Sequence, residues 1–585
     1  ATLHAGRYID RTAFQPVTDR SLLERMNATA RDHVVALDLT AAGINNTGPY
    51  PDTFRDGGGI IDLYWRDRPL PIARWPNDEP TTMQEVLDRG DWSRGPTRRA
   101  GTFVAREDRL KRWNAADGLW LEGYWRVPWE PHTIRVESID PTTRTISFAT
   151  PIFGGIGSKY APKNSFGDGQ EPWWAVNLLE EIDRPGEWCI HFPTRTLYLW
   201  PPEGWGDDPA ATLFLADVKE PLIRIDGGEE ITIEGLALEG GLGDGIVIEG
   251  GRSNRIAGCT VRNLGGSGMV IRGGSDHAVE SCDLHTLGAA GIRLSGGDRA
   301  TLTACGHRAI NNHIFDVGRR QKTYAAGIHV GESHETAIGC RVAHNLIHDL
   351  PHAAVLYTGN DHVFEYNEIC RVALTSRDVG AFYTRYDWTS QGNVLRHNFV
   401  HSSPRANAFY IDDGDSGDTV EGNIVFRCAC GPFLGGGHDN TVLNNLVIEC
   451  DIGIHVDARG ASRGYATNDV LRRQLTSIDA TTELWRSRYP RLARLATVDA
   501  GLPHGNIIAG NVAIDCQKPL RLGGNAEQLA DNTIEQPTTL PLAEVGFNNP
   551  GRLDFSLPKQ SPLHSRVPDF EAIPFDRIGL RDDAF

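Results

Sequence analysis

Residues 343–355 read Ala343-His344-Asn345-Leu346-Ile347-His348-Asp349-Leu350-Pro351-His352-Ala353-Ala354-Val355. Two short apolar runs flank a polar turn; an asparagine opens the first, and the second begins at a small-small-apolar triplet. Both markers return along the chain. The triplet recurs as Asp244-Gly245-Ile246, Ser267-Gly268-Met269, Ala290-Gly291-Ile292, Ala326-Gly327-Ile328, Gly380-Ala381-Phe382, Asn407-Ala408-Phe409, Gly431-Pro432-Phe433 and Ile452-Gly453-Ile454. With the triplet at 353–355 included, successive centres lie 23, 23, 36, 27, 27, 27, 24 and 21 residues apart. The asparagine recurs as Asn312, Asn367, Asn398, Asn423, Asn445 and Asn511. Units of about 20–30 residues built from strands and turns match one coil of a parallel β-helix, whereas propeller blades need about 40 residues and leucine-rich repeats need a leucine frame absent here. Aligned asparagines fit such a coil, because each side-chain amide can bond its counterparts above and below at the ~4.8 Å strand spacing.

The sequence thus predicts an all-β chain with a right-handed parallel β-helix over 216–530. A helical insert is expected at 467–495, capped by Asn468 and Asp469, and a C-terminal segment, 531–585, is expected to pack along the solenoid. Residues 1–215 show no repeat and carry 12 of the 14 tryptophans. Short strand-like runs such as Ile60–Trp65 and Thr196–Trp200 predict a β-rich accessory region, sandwich or barrel. One helix is expected over Thr18–His33 with Thr18 or Asp19 as cap. The clustered tryptophans suit either a core or a platform that stacks on sugars.

The net charge of −18 argues against nucleic acid or an anionic membrane as partner, and no apolar run is long enough to span a bilayer. The first residues lack signal-peptide character, so a secreted or periplasmic location implies a signal already removed. Cys259, Cys282 and Cys305, 23 apart, are expected to stack as buried apolar groups.

Alternation sorts each coil into inward and outward side chains. With Ile246, Met269, Ile292, Ile328, Val355, Phe382, Phe409, Phe433 and Ile454 inward, one outward column reads Val247, Val270, Arg293, His329, Leu356, Tyr383, Tyr410, Leu434, His455. A parallel column ends in Arg385, Asp412, Gly436 and Asp457. Tyr383, Arg385, Tyr410 and Asp412 therefore form one outward patch, with Asp378, Asp387, Asp413, Asp415 and His438 around it. Such a patch suits a sugar-cleaving groove: tyrosines pack sugar faces, Arg385 holds oxygens, and paired carboxyls perform acid and base work. His344 and His397 share another column, with Tyr366 between them, as do His348 and His401. His329 and His397 join Tyr383, Arg385, Asp387, Tyr410 and His438 as candidate substrate contacts.

The stretch Asp378–Trp388, with Arg396-His397-Asn398 and Tyr410–Gly417, resembles bacterial β-helix glycoside hydrolases, above all glycoside hydrolase family 141, whose members act on fucosides or xylan. The β-xylosidases of family 120 resemble it more distantly. Leu70–Asn77 and Asp183–Trp188 are similar to the accessory region of that group. The resemblance implies a catalytic pair of Asp378 with Asp412 or Asp413, an oligosaccharide or polysaccharide substrate, and no cofactor. Two rival readings keep the fold and change the chemistry. A polysaccharide lyase or uronate epimerase would bind Ca²⁺ at Asp412, Asp413 and Asp415 and use Arg385 with His397 as neutraliser and base. A non-catalytic glycan-binding adhesin or tailspike would bind sugar without releasing product.

Overall fold

The computed structural model describes residues 1–45, 50–54, 59–159, 171–207, 212–331, 337–480, 482–496 and 498–582. The expected coil is realised as a right-handed parallel β-helix with three faces. On one face Ile246–Glu249, Met269–Arg272, Ile292–Ser295, Ile328–Val330, Val355–Tyr357 and Gly380–Arg385 pair in chain order, all parallel. Thr260–Leu264, Asp283–Leu287 and His313–Phe315 continue a second face. Arg255–Ala257, Ala278–Glu280 and Arg308–Ile310 continue a third. The register puts Ile246, Met269, Ile292, Ile328, Val355, Phe382 and Phe409 inside, each at most 1 % exposed. Phe382 and Phe409 stack with ring centroids 5.2 Å apart, and burying each such side chain stabilises the coil by about 2–3 kcal/mol.

The asparagine column is a continuous ladder. Asn398 accepts from the backbone N–H of Asn367 (3.0 Å) and from its side-chain amide (2.9 Å), and donates its own amide to Asn423 (3.0 Å) and to the Phe364 carbonyl (2.9 Å). Asn398→Ala removes these bonds and leaves buried backbone groups unpaired. The expected cost is about 2 kcal/mol, read as a lower chemical-denaturation midpoint; an unchanged midpoint would show the ladder to be ornamental. A second ladder, which the spacing did not expose, runs through Asn254, His277 and His307 and, further on, through Asn440, Asn506 and Asn532.

The thiols depart from expectation. Cys259 and Cys282 do stack, the Cys259 N–H pointing at the Cys282 sulfur (3.4 Å), but the next rung of that column is Asn312. Cys305 meets Cys340 instead, Sγ to Sγ 3.4 Å. The coil between Cys282 and Asn312 is lengthened by a loop, so equal spacing along the chain is not equal position in the coil.

The first strand, Thr2–His4, pairs in parallel with Ala237–Glu239 and so belongs to the solenoid. The chain then leaves and returns at Ile223–Asp226, making the accessory region an insertion after the first rung. Its centre is a closed antiparallel barrel in which Trp120–Tyr124 pairs with both Pro131–Asp140 and Pro172–Val176. Its core holds Trp125, Trp173 and Phe103. Trp188 packs in a neighbouring cluster. Five of the region's tryptophans are thus core, and Trp65, Trp75 and Trp200 pack partly buried against it. The expected helix over Thr18–His33 shortens to Arg20–Arg25; Asp19 caps it through the Ser21 amide (2.8 Å), and a turn at Asn27–Thr29 stops it.

The helical insert begins earlier than expected, with Arg459–Arg463 directly after the strand Ile452–Asp457, followed by Asp469–Ser477 and Glu483–Arg488. Asn468 caps the second of these helices through the Val470 and Leu471 amides. Beyond Leu540, Phe547, Phe555, Leu563 and Phe570 pack on Phe399, Ile424 and Phe426. Among the described residues no helix is long and apolar enough to cross a membrane.

Candidate active site

Parallel pairing brings distant residues onto neighbouring rungs. Tyr383 lies beside Tyr410, and Arg385 beside Asp412. Tyr410 in turn pairs with Phe433, and Phe433 with His455. The expected column is therefore corrected by one residue at this rung. Pro432, opposite Phe409, takes the position assigned to Phe433, so Phe433 faces outward, Leu434 inward, and Gly435 replaces Gly436 opposite Asp457. The outward rings form a stack: Tyr383 to Tyr410 5.4 Å, Tyr410 to Phe433 4.5 Å, Phe433 to His455 4.0 Å.

The tyrosines are not open sugar platforms: Tyr383 and Tyr410 are 5 % and 2 % exposed, and Arg459 of the helical insert lies over the Tyr410 ring. They act through their hydroxyls. Tyr383 donates to Asp412 Oδ2 (3.1 Å) and Tyr410 donates to Asp378 Oδ1 (3.2 Å). Asp378 and Asp413 each occupy left-handed turns (φ +57° and +46°), a conformation in which Asp is among the better tolerated residues. The Asp413 N–H donates to Asp412 Oδ1 (2.8 Å) and fixes that carboxyl.

The insert supplies the cations. Arg459 Nη1 donates to Asp412 Oδ1 (2.5 Å) and to the Tyr410 hydroxyl (3.1 Å), while Nε and Nη2 grip Asp457 at 2.8–3.0 Å. Asp413 Oδ1 accepts from Arg463 and from the Tyr465 hydroxyl, the latter at 2.7 Å. Through the Tyr410 hydroxyl and Arg459, the Asp378 and Asp412 oxygens lie at most about 9 Å apart, short of the upper limit for paired acids in glycoside cleavage. Burial, and then the charge of Asp413, push Asp412 up to about 7, against the pull of Arg459. Arg459 cannot fully neutralise it, because the same guanidinium is held in two places by Asp457. Asp412 is thus a carboxyl able to hold a proton near neutral pH, while Asp378 stands exposed on the open side. From the barrel, Lys159 comes within electrostatic reach of Asp378, Asp413 and Asp412, its ammonium 4.1 Å over the Trp129 ring.

Other expected contacts fall elsewhere. Arg385 lies in the patch, its guanidinium 4.7 Å over the Tyr324 ring. His329 sits in the same column two rungs from Tyr383, with Leu356 between. Asp387 is corrected to a structural role: it is 3 % exposed, accepts from the Thr389 amide (2.8 Å) and pairs with Arg299 (3.3 Å). His438 is also corrected: it is 1 % exposed between Trp388 and His504, and desolvation pulls it down to about 3. His397 does share a column with Tyr366 and His344, but it lies on another face, where Arg577 from the C-terminal segment covers Tyr366. It cannot serve as a base beside Arg385. Asp415 turns into the solenoid, fully buried near Asp418 and Asp387, so Asp412, Asp413 and Asp415 do not share an oxygen cage suited to Ca²⁺. Among the described residues no group of three His, Cys, Asp or Glu side chains could hold a metal ion.

Sequence reasoning missed Arg459, Arg463 and Tyr465. The signal was available: the outward column ends at Asp457, and its alternation, continued two residues, reaches Arg459.

The class of protein is settled at the level of fold, a parallel β-helix whose exterior carries a buried acid cluster. A family model described as a right-handed beta helix region matches residues 221–318 and 326–478. Among solved structures, one titled glycoside hydrolase aligns over 77 % of this chain and 81 % of its own, with TM-score 0.51 and 13 % identity. The complex of XylC with xylose aligns over 92 % and 75 %, with TM-score 0.40 and 12 % identity. A PL6 alginate lyase in complex with a trisaccharide aligns over 50 % and 72 %, with TM-score 0.29 and 12 % identity. No curated protein matches the sequence. At these identities the likeness is one of fold, and a fold by itself does not fix a reaction.

Proposed function

We propose that this protein is a glycoside hydrolase acting on an oligosaccharide or polysaccharide outside the cytoplasm, with Asp412 as general acid and Asp378 as the opposing carboxyl. The observation that carries the reading is the meeting of these two groups around the Tyr410 hydroxyl and Arg459, one carboxyl buried enough to keep a proton and the other open. Asp412 donates its proton to the leaving glycosidic oxygen. Asp378 attacks the anomeric carbon or takes a proton from the attacking water, and its hydrogen bond from Tyr410 fixes its direction. Burial keeps Asp412 protonated, and Asp413, held by Arg463 and Tyr465, adds to it.

The resemblance to family 141 directs the first screen to fucosides and xylan, followed by other xylosides, arabinosides and uronate polymers. New reducing ends without an ultraviolet-absorbing unsaturated product support hydrolysis. An unsaturated uronate product instead would replace this reading with elimination.

Because Asp412 must carry its proton to act, kcat is expected to fall as pH rises through about 7, the value to which burial raises it. A rate that stays level from pH 6 to pH 9 removes Asp412 from the acid role.

A further inference from the structure

The two phrases Leu70–Asn77 and Asp183–Trp188 take no part in the acid cluster. They form one wall of a cleft of about 570 Å³ between the accessory region and the solenoid, to which they contribute Arg74, Asn77, Arg184 and Glu187, with Arg320 and Lys322 facing them. A second cleft of about 640 Å³ shares Arg74, Glu122, Trp174 and Lys322 with the first, so the two make one trough along the seam. Pro128, Ser158 and Arg377 also line the second cleft. These are the chain neighbours of Trp129, Lys159 and Asp378, and the Arg377 amide is bonded to the Pro128 carbonyl (3.2 Å).

The lining has a definite chemistry. In the strand Pro172–Val176, alternation sends Trp173 into the barrel core and leaves Trp174 half-buried on the seam, in both clefts. Carboxyls outnumber cations along the lining, and three of the cations are paired: Arg184 to Asp78 (2.9 Å), Arg320 to Asp62 (2.9 Å), Lys322 to Glu122 (3.8 Å). Glu187 is 3 % exposed and accepts the Asp183 and Arg184 amides through one oxygen only, Oε2. Burial raises it to about 7, so near neutrality its carboxyl can both donate and accept. An excess of carboxyls, a carboxyl of this kind and an indole wall suit hydroxyl-bearing rings and disfavour an anionic polymer. Each cleft alone has the volume of a small-molecule site, and the two together exceed the needs of one sugar.

We infer that the seam is a track for a neutral oligosaccharide chain several units long, leading to the acid cluster, so that cleavage falls within a chain. The cleavage part rests on the hydrolase reading; the binding part does not. The test uses the full chain carrying Asp378→Asn, to prevent turnover, and calorimetric titration with xylobiose, xylohexaose and an oligomannuronate hexamer. Xylohexaose is expected to bind at least about tenfold more tightly than xylobiose, Trp174→Ala to remove most of that difference, and Trp174→Phe, which keeps a ring and guards against misfolding, to retain it. Equal affinity for the two xylose chains, a chain-length preference that survives Trp174→Ala, or tighter binding of the mannuronate hexamer would each overturn the track. Hexamer binding without cleavage by the unsubstituted protein would leave the track standing and the hydrolase reading fallen.

Discussion

Asp378→Asn is expected to lower kcat by about 10³-fold, within the range for loss of a positioned acid–base group, while the protein keeps its unfolding midpoint. The reason lies in where Asp378 sits. It is exposed, at a left-handed turn just before the strand Gly380–Arg385, and the Tyr410 hydroxyl donates to it at 3.2 Å. An asparagine keeps the shape, tolerates the same φ and can accept the same bond, so stability has little reason to change. What it cannot do is attack or take a proton. A variant with near-normal kcat would move the reaction away from this residue. A variant that unfolds would contradict the expected stability.

Arg459→Met is expected to be the most damaging single change to stability near the site, by about 3–5 kcal/mol, the usual consequence of leaving buried carboxylates without their cation. Arg459 serves Asp457 in two places, Asp412 at 2.5 Å and the Tyr410 hydroxyl at 3.1 Å, with its side chain only 12 % exposed. The change also has a direction in pH. With the cation gone, one of the pulls that oppose burial and Asp413 at Asp412 is lost, so the alkaline limb of the rate profile should move upward. Arg459→Lys should restore part of the stability, because it returns a charge without the two-point grip on Asp457. A denaturation midpoint unchanged in Arg459→Met, or a limb that moves to lower pH, would contradict this account of the cluster.

How much of this was written in the sequence depends on what kind of signal each feature leaves. The solenoid was legible because the same physical demand, an inward apolar residue and an amide at the turn, repeats every coil; Asn312 to Asn511 mark it without any alignment. Tyr383, Tyr410, Arg385 and Asp412 were placed as neighbours for the same reason. Where a coil changes length the method fails, as at Cys305, which follows a loop. It also fails where a proline shifts the frame, as at Pro432, which moved Phe433 from the inside to the aromatic stack. Burial was the larger miss. The tyrosines read as open sugar platforms because nothing in their own strands reveals that both are buried, Tyr410 beneath Arg459. His438 and Asp387 read as substrate contacts beside a groove, yet both are buried, at 1 % and 3 % exposure. The barrel and the trough beneath it arise from packing between segments with no shared period, and alternation carries no information about that.

The central claim is that Asp412 and Asp378 divide the work of acid and opposing carboxyl, and leaving-group dependence tests it most directly. For the sugar identified by the screen, kcat/KM is compared between its natural oligosaccharide and its 2,4-dinitrophenyl glycoside, whose leaving group departs without protonation. In Asp412→Asn the oligosaccharide rate should fall by about 10³-fold and the dinitrophenyl rate by less than about tenfold, while Asp378→Asn should lose both. Equal losses on the two substrates in Asp412→Asn, or a dinitrophenyl rate preserved in Asp378→Asn, would contradict the assignment.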